Sequence, residues 1–532
     1  MKKRAVISFC LIIVFTFGMT FRVLYLTEGE QLAQAAQRQS TYRLDVAETR
    51  GTIYDCNQLP LTNSKKVWKT VVFPTPMALS GLSDVLGRLE AKTIMERLQS
   101  GKPIIVDVPA EIRDCEGIYC FQVPQHYTEE QTAVHLIGYL DSEGVGVSGI
   151  EEAYNELLSG DYHVRVSYKV DAVGRVLTGG SVEISDTIAE SQKGIALTID
   201  RDIQKIAETA ANELLETGSV VIMEVSTGKI KAMASTPGFS PDNVSESLEN
   251  THSPMLNRTL ESYNVGSIFK LVAAQAALEK GVSLDYLCTG TTDYAEHTFQ
   301  CINRTAHGQL DMQGAVANSC NCYFIHLSEF IGADKLLSTA QKMGFGASIQ
   351  LAPGIASLKG QLPTLKSLEA PAALANFSFG QGDLMATPLQ IAAYINTIAA
   401  NGIYRTPTLI EGTVDERGRL TKTGQATEPK QLMSMSTAIQ LQQFMIAAVQ
   451  DGGAYTGAPE TGGAGAKTAT AETGWVQDGH AVIQAWYAGY FPSDTPKYTI
   501  VVLAEDGTTG SGTCGPVFKK IADDIQSLES KQ

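Results

Sequence analysis

The chain has 532 residues, 44% of them apolar, and a formal charge of −16. That length exceeds one compact domain, and the apolar share is enough to fill sizeable cores, which excludes a disordered chain. The acidic balance leaves no electrostatic footprint for nucleic acid and excludes that class of partner.

Lys2, Lys3 and Arg4 precede an apolar run from Ala5 to Phe21, closed by Arg22 and extended by Val23 to Leu26. A run of this length spans a bilayer with little tilt. Residues 5–26 are therefore read as a transmembrane anchor and residues 1–4 as cytoplasmic. Basic residues before the span keep the N-terminus inside and export the rest. A cleaved signal peptide is the competing reading. Its A-x-A sequence, Ala33-Gln34-Ala35, lies a dozen residues beyond the apolar run, too far for ordinary cleavage.

Beyond the span, Gln31 to Gln39 is rich in Ala and Gln and reads as helical. Arg50-Gly51-Thr52-Ile53-Tyr54-Asp55 reads as a strand entering a turn. Residues 64–185 mix short strand-like and helical pieces, and Gly149 to Leu158 has helical spacing with Gly160 as its stop. From Ile195 the texture changes. Leu197 to Ile199 reads as a strand and Arg201 to Glu216 as an amphipathic helix. Val220 to Val225 and Ile230 to Ala234 flank the turn Ser226-Thr227-Gly228, a hairpin signature. A run of helices is expected from about 267 to 400. Strands return at Ala481 to Phe491 and Tyr498 to Glu505, and a helix covers Val517 to Ser527. This order predicts an α+β fold, an antiparallel sheet assembled from both ends of one domain around an inserted helical block. A small mixed domain is placed at 27–190 and a large one at 191–530.

Asn264-Val265-Gly266-Ser267-Ile268-Phe269-Lys270 opens a helix that Gly281 stops. Ser267 and Lys270 then share a face one turn apart. A serine hydroxyl is a weak nucleophile until a base takes its proton, and a lysine kept neutral by burial can be that base. Alone the Ser-x-x-Lys pattern is weak. Ser226-Thr227-Gly228-Lys229 repeats it in a hairpin turn, and a plain N-cap serine followed by a solvated lysine gives the same letters. Two further segments add weight. Ser319-Cys320-Asn321 supplies a hydroxyl that can relay a proton and an amide that can hold a lysine. Lys467-Thr468-Ala469-Thr470 precedes the apolar stretch Ala485 to Tyr490. On an edge strand such residues bind a carboxylate while the backbone pairs with an extended peptide.

Ser-x-x-Lys, Ser-x-Asn and Lys-Thr-Gly in that order form the signature shared by penicillin-binding proteins and class A β-lactamases. The chain resembles a class B penicillin-binding protein over most of its length. Arg50 to Asp55 and Gly149 to Gly160 resemble that family's pedestal motifs. Gly380-Gln381-Gly382 and Thr387-Pro388-Leu389-Gln390 resemble a segment of its transpeptidase domain. The resemblance implies a membrane-bound pedestal at 27–190 and a transpeptidase domain at 191–530, facing outward. It implies that Ser267 attacks the bond between two terminal D-alanines of a peptidoglycan stem peptide, with Lys270 taking its proton. Ser319 and Lys467 return a proton to the leaving amine, and Asn321 orients the peptide. Thr468 and Thr470 hold the terminal carboxylate together with Lys467, with Ala469 in the same substrate-binding segment, and the N–H groups of Ser267 and Thr470 form the oxyanion hole. β-Lactams acylate the same serine, and no cofactor or metal is implied. A polytopic glycosyltransferase is the implied membrane partner. The short pedestal and absence of a further C-terminal domain favour a division or sporulation type over elongation.

Ala469 departs from the family, which has glycine there. A methyl at that place is expected to narrow the cleft and to slow acylation by bulky β-lactams. A literal Lys422-Thr423-Gly424 lies in a charged, turn-rich stretch without an apolar strand beside it, so Lys467 is preferred. Gly462 to Thr468 lacks the glycine that a phosphate loop needs directly before its lysine. Nine cysteines and eight histidines show no metal or triad spacing. Cys115/Cys120 and Cys288/Cys301 can pair or stay reduced, and spacing leaves both open. The rival functions are a D,D-carboxypeptidase or β-lactamase, and a wall-synthesis scaffold with weakened catalysis. No glycosyltransferase-like region is seen, which disfavours the bifunctional class A reading.

Overall fold

The computed structural model describes residues 2–27, 40–113, 115–160, 162–171, 173–177, 180–188, 193–422, 428–477 and 480–531. The expected helix at 31–39, the Ala33-Gln34-Ala35 sequence, and Thr423 and Gly424 lie outside them. The chain forms two compact units: residues 1–50, 64–126 and 160–191, and residues 51–63, 127–159 and 192–532. The stretches 51–63 and 127–159, which the sequence reading places in the pedestal, thus belong to the larger unit. Pairing explains the first. Thr52–Tyr54 runs parallel to Gly194–Leu197, which pairs with Ile410–Val414. The Asp55 carboxylate caps this segment, accepting from the N–H groups of Asn57, Leu59 and Arg201.

In the smaller unit a single helix, Lys2–Thr27, carries the apolar run. It is long and apolar enough to cross a membrane. The same unit holds two three-stranded sheets, one of them built on Lys65–Val72 between Ile104–Val108 and Ile118–Gln125.

The larger unit is organised by a five-stranded antiparallel sheet. Its spatial order is Ile230–Thr236, Gly218–Glu224, Tyr498–Ala504, His480–Phe491, Gly465–Gln477. The central strands are covered on both faces, so Gly218–Glu224 and Tyr498–Ala504 are dominated by apolar residues rather than alternating. Val220, Ile222, Ile500 and Val502 pack with Ile203 and Ala207 of the helix Arg201–Leu214 and with Phe518 and Ile521 of Gly515–Glu529. Val221, Met223, Val501 and Leu503 face the inserted helices, among them Lys270–Lys280 and Pro388–Ala399. The latter helix is buried along its whole length and opens with a capping box between Thr387 and Gln390. The Gln390 amide then donates to the carbonyls of Ala347 and Lys359. This is the structural reason for the Thr-Pro-Leu-Gln segment.

Two expectations are corrected. The 267–400 block is not wholly helical, because β-branched and aromatic residues at 286–310 form two small ribbons and a third lies at 350–356. The 149–158 helix is split at Tyr154, which leaves helical dihedrals. All nine cysteines are free thiols, so neither Cys115/Cys120 nor Cys288/Cys301 is bonded.

Candidate active site

Ser267 sits in a 3₁₀ turn, Gly266–Phe269, that feeds the α-helix Lys270–Lys280, and Gly281 ends that helix in the left-handed conformation. The turn is tighter than the α-helical start expected from spacing. It is held by pairing of Tyr263–Asn264 with Met385–Ala386 and by a bond from the Gly266 N–H to the Gly380 carbonyl. Gly266 has φ +59°, and a Cβ on Gly380 would lie 1.8 Å from the Gly266 carbonyl oxygen. The Gly-Gln-Gly segment therefore exists to let two backbones touch beneath the serine.

Lys270 is fully buried, while Ser267 and Ser319 are half-buried and open to the cleft. The Lys270 Nζ lies 2.9 Å from Ser267 Oγ, 2.7 Å from the Ser319 carbonyl, 3.1 Å from Ser319 Oγ and 2.6 Å from Asn321 Oδ1. The Ser319 carbonyl and Asn321 Oδ1 can only accept, and they make the two shortest contacts. In a neutral lysine they take both N–H groups, leaving the nitrogen lone pair to accept from the Ser267 hydroxyl. Burial drives Lys270 down to about 8, against the pull of the nearby thiols of Cys320, Cys301 and Cys322. Ser319 reaches this position because its backbone is left-handed, φ +54°, between the helices Met312–Ala317 and Asn321–Ile331. A non-glycine residue held there stores strain of order 1 kcal/mol, as functional sites often do. The Asn321 amide donates to the Gln300 carbonyl at 2.9 Å, which fixes its oxygen toward Lys270.

The third segment arrives on the edge strand of the central sheet. Lys467 and Ala469 are buried, and Thr468 and Thr470, each following one of them, are half-buried. The Lys467 Nζ donates to Ser319 Oγ at 3.1 Å and to the Thr468 carbonyl at 2.8 Å. Burial, and secondly repulsion from Lys270, holds it well below the ordinary lysine range. Among the described residues no carboxylate pairs with either lysine. Ser267, Lys270, Ser319, Asn321 and Lys467 thus form one hydrogen-bonded set, joined through a single hydroxyl, Ser319 Oγ. Thr470 accepts from the Gly510 N–H at 3.3 Å.

Ala469 differs from the expectation. Its methyl is 2% exposed and lies where a Cβ on Gly266 would be 3.2 Å away, with Ala471 at 3.0 Å. It packs under the turn that carries Ser267. Ala469→Gly should therefore change penicillin acylation less than twofold and lower stability by about 1 kcal/mol or less, measured by stopped-flow acylation and thermal melting. Gly266→Ala should do far more. A left-handed alanine costs about 1–2 kcal/mol, and its methyl must displace the turn that carries Ser267. Acylation is expected to fall at least about tenfold, since small misplacements are costly to a reaction that depends on geometry.

The rejected sequences have physical explanations. Lys229 of the second Ser-x-x-Lys pairs with the Glu411 carboxylate at 2.7 Å and makes no contact with Ser226. Lys422 belongs to the strand Leu420–Lys422, away from the central sheet. The fold also brings together one group that the spacing does not show. Cys288, Cys301, His307 and Cys320 place their ligand atoms within 4.8 Å of one another. Their separations of 13, 6 and 13 positions fit no short metal motif, because they come from three segments: a strand end, the 301–307 stretch and the turn before Asn321–Ile331. The one signal present was a cysteine in the middle of the Ser-x-Asn segment.

Residues 218–523 match the family model described as the penicillin binding protein transpeptidase domain. The Escherichia coli peptidoglycan D,D-transpeptidase FtsI is 27% identical over 409 residues, 75% of this chain and 66% of that protein, just under two thirds of its length. Stage V sporulation protein D of Bacillus subtilis is 26% identical over 539 residues, covering 93% of this chain and 81% of that one. Penicillin-binding protein 3 of Mycobacterium tuberculosis, solved with aztreonam, superposes with a TM-score of 0.65 at 21% identity, over 92% of this chain and 97% of that one. The family match covers more than half of the residues, and the segments that compose it meet at one serine. By that match the chain belongs to the penicillin-binding protein transpeptidase family, in agreement with the class B resemblance of its motifs.

Proposed function

We propose that the chain is a serine D,D-transpeptidase that cross-links peptidoglycan stem peptides. The observation that carries this reading is the buried, carboxylate-free Lys270 whose Nζ lies 2.9 Å from Ser267 Oγ. The Ser267 oxygen attacks the carbonyl between two terminal D-alanines as Lys270 takes its proton. The tetrahedral oxyanion is met by the backbone N–H groups of Ser267 and Thr470, a contribution of roughly 3–4 kcal/mol per donor in other acyl-transfer enzymes. Ser319, in contact with both lysines, passes a proton to the departing D-alanine amine. Lys467, Thr468 and Thr470 hold the terminal carboxylate, whose negative charge draws a proton onto Lys467. The stem peptide lies along the exposed edge of Gly465–Gln477 as an added strand, with Asn321 orienting it. An amine from a second strand then attacks the acyl-enzyme, and no metal takes part in these steps.

Residues 5–26 anchor the chain with its N-terminus in the cytoplasm and the catalytic domain outside, and residues 27–190 serve as a pedestal. A polytopic glycosyltransferase supplies the strands at the membrane. The reading is tested by incubating the full-length chain in detergent with a stem pentapeptide and an amine acceptor. Release of D-alanine together with a cross-linked dimer supports it. Release balanced only by hydrolysed peptide would identify a carboxypeptidase, and no release would identify a scaffold.

A further inference from the structure

We propose that Cys288, Cys301, His307 and Cys320 form a structural zinc site that fixes the second active-site motif in place. A tetrahedral zinc with Zn–S near 2.3 Å and Zn–N near 2.0–2.1 Å sets its ligand atoms about 3.8 Å apart for two sulfurs and about 3.6 Å for a sulfur and a nitrogen. Here Cys288 Sγ and Cys301 Sγ are 3.8 Å apart, Cys301 Sγ and Cys320 Sγ 3.7 Å, and Cys288 Sγ and His307 Nδ1 3.4 Å. These are three of the six edges of a zinc-sized tetrahedron, and the other three pairs lie within 4.8 Å. They are far longer than the roughly 2.05 Å of a disulfide. All three sulfurs are at most 1% exposed, and three thiolates with one imidazole are soft donors that select zinc over hard cations. A closed set of four protein ligands leaves no open position, so the role is structural.

The surrounding segment has little else to order it. Between residues 281 and 309 only Cys288, Gly290 and Cys301 are buried. A lobe of that length without an apolar core depends on other fastenings, and metal-binding free energy then becomes folding free energy. Its small ribbon pairs Cys288 with Gly308, bringing His307 beside the first ligand. The lobe reaches the active site twice. Cys320 is the central residue of Ser319-Cys320-Asn321, and its sulfur also accepts from the Tyr323 N–H at the start of the following helix. Gln300, next to Cys301, accepts from the Asn321 amide at 2.9 Å. Zinc bound to Cys301 and Cys320 holds both ends of that arrangement, and with it the left-handed Ser319 whose hydroxyl joins the two lysines. Cys322, 3.6 Å from Cys301, is an adjacent thiol outside the mutual set of four.

The test uses the full-length chain, reduced with a phosphine and purified without chelator. Elemental analysis should find about one zinc per chain. The stripped protein titrated with cobalt(II) should develop a sulfur-to-cobalt charge-transfer band that saturates at about one equivalent. His307→Ala should weaken binding and change the cobalt spectrum, whereas Cys115→Ser should change neither. Stripping should slow penicillin acylation at least about tenfold, and returning zinc should restore it. Zinc content is independent of the acyl-transfer reading, and only the acylation arm rests on it. Absence of both zinc and the cobalt band would overturn the site. So would zinc undiminished in Cys301→Ser, or a disulfide among these cysteines in the chain as isolated. Unchanged acylation after stripping would overturn the positioning role.

Discussion

Ser267→Ala is expected to abolish covalent labelling by penicillin and to lower D-alanine release from a stem peptide by about 10⁴-fold or more. Loss of a nucleophile on that scale is typical where one residue forms the covalent intermediate. The substitution removes one oxygen from a half-buried turn, so the melting temperature should move little. Ser226→Ala, in the other Ser-x-x-Lys, should leave labelling unchanged, because Lys229 is engaged by the Glu411 carboxylate rather than by Ser226. Labelling that survives Ser267→Ala, or disappears in Ser226→Ala, would contradict the assignment.

Lys270→Met should lower acylation by about 10²–10⁴-fold, the range of a general base. Methionine fills a similar volume without a proton acceptor. Removing a buried amine also removes its desolvation cost, which offsets the two acceptors left without a donor, so the fold should persist. The wild-type pH profile carries the same argument. Burial lowers Lys270 to about 8, and the base is its neutral form. The acylation rate should therefore rise about tenfold per pH unit below that value and level off above it. Stopped-flow measurement from pH 6 to 9.5 checks it. A flat profile, or a rate that falls as pH rises toward 8, would show that neutral Lys270 is not the base.

The parts of the site written within one turn of chain were legible in the sequence. Ser267 and Lys270 are three residues apart, and Ser319 and Asn321 flank a helix start, so local geometry brings each pair together. Lys467 was chosen over Lys422 because of the apolar strand beside it, and His480–Phe491 is its partner. The sheet was legible too, since strands buried on both faces leave apolar runs. What depended on distant segments was not. The close fit of Ala469 against Gly266 joins residues about 200 positions apart. The Cys288–Cys301–His307–Cys320 cluster depends on three segments converging. The parallel pairing of Thr52–Tyr54 with Gly194–Leu197 assigns a pedestal motif to the larger unit, which periodicity cannot express. The 3₁₀ turn at Ser267 is set by the contact with Gly380, again from across the fold.

The central claim is that Ser267, activated by a neutral Lys270, is the residue that takes the acyl group. Its most direct test is intact-mass analysis of the full-length chain after incubation with benzylpenicillin at pH 8.5, followed by peptide mapping. One penicilloyl adduct per chain, on the peptide holding Ser267, is the predicted result. An adduct on Ser319, on Ser226 or on one of the thiols would contradict the account, and so would an unmodified chain.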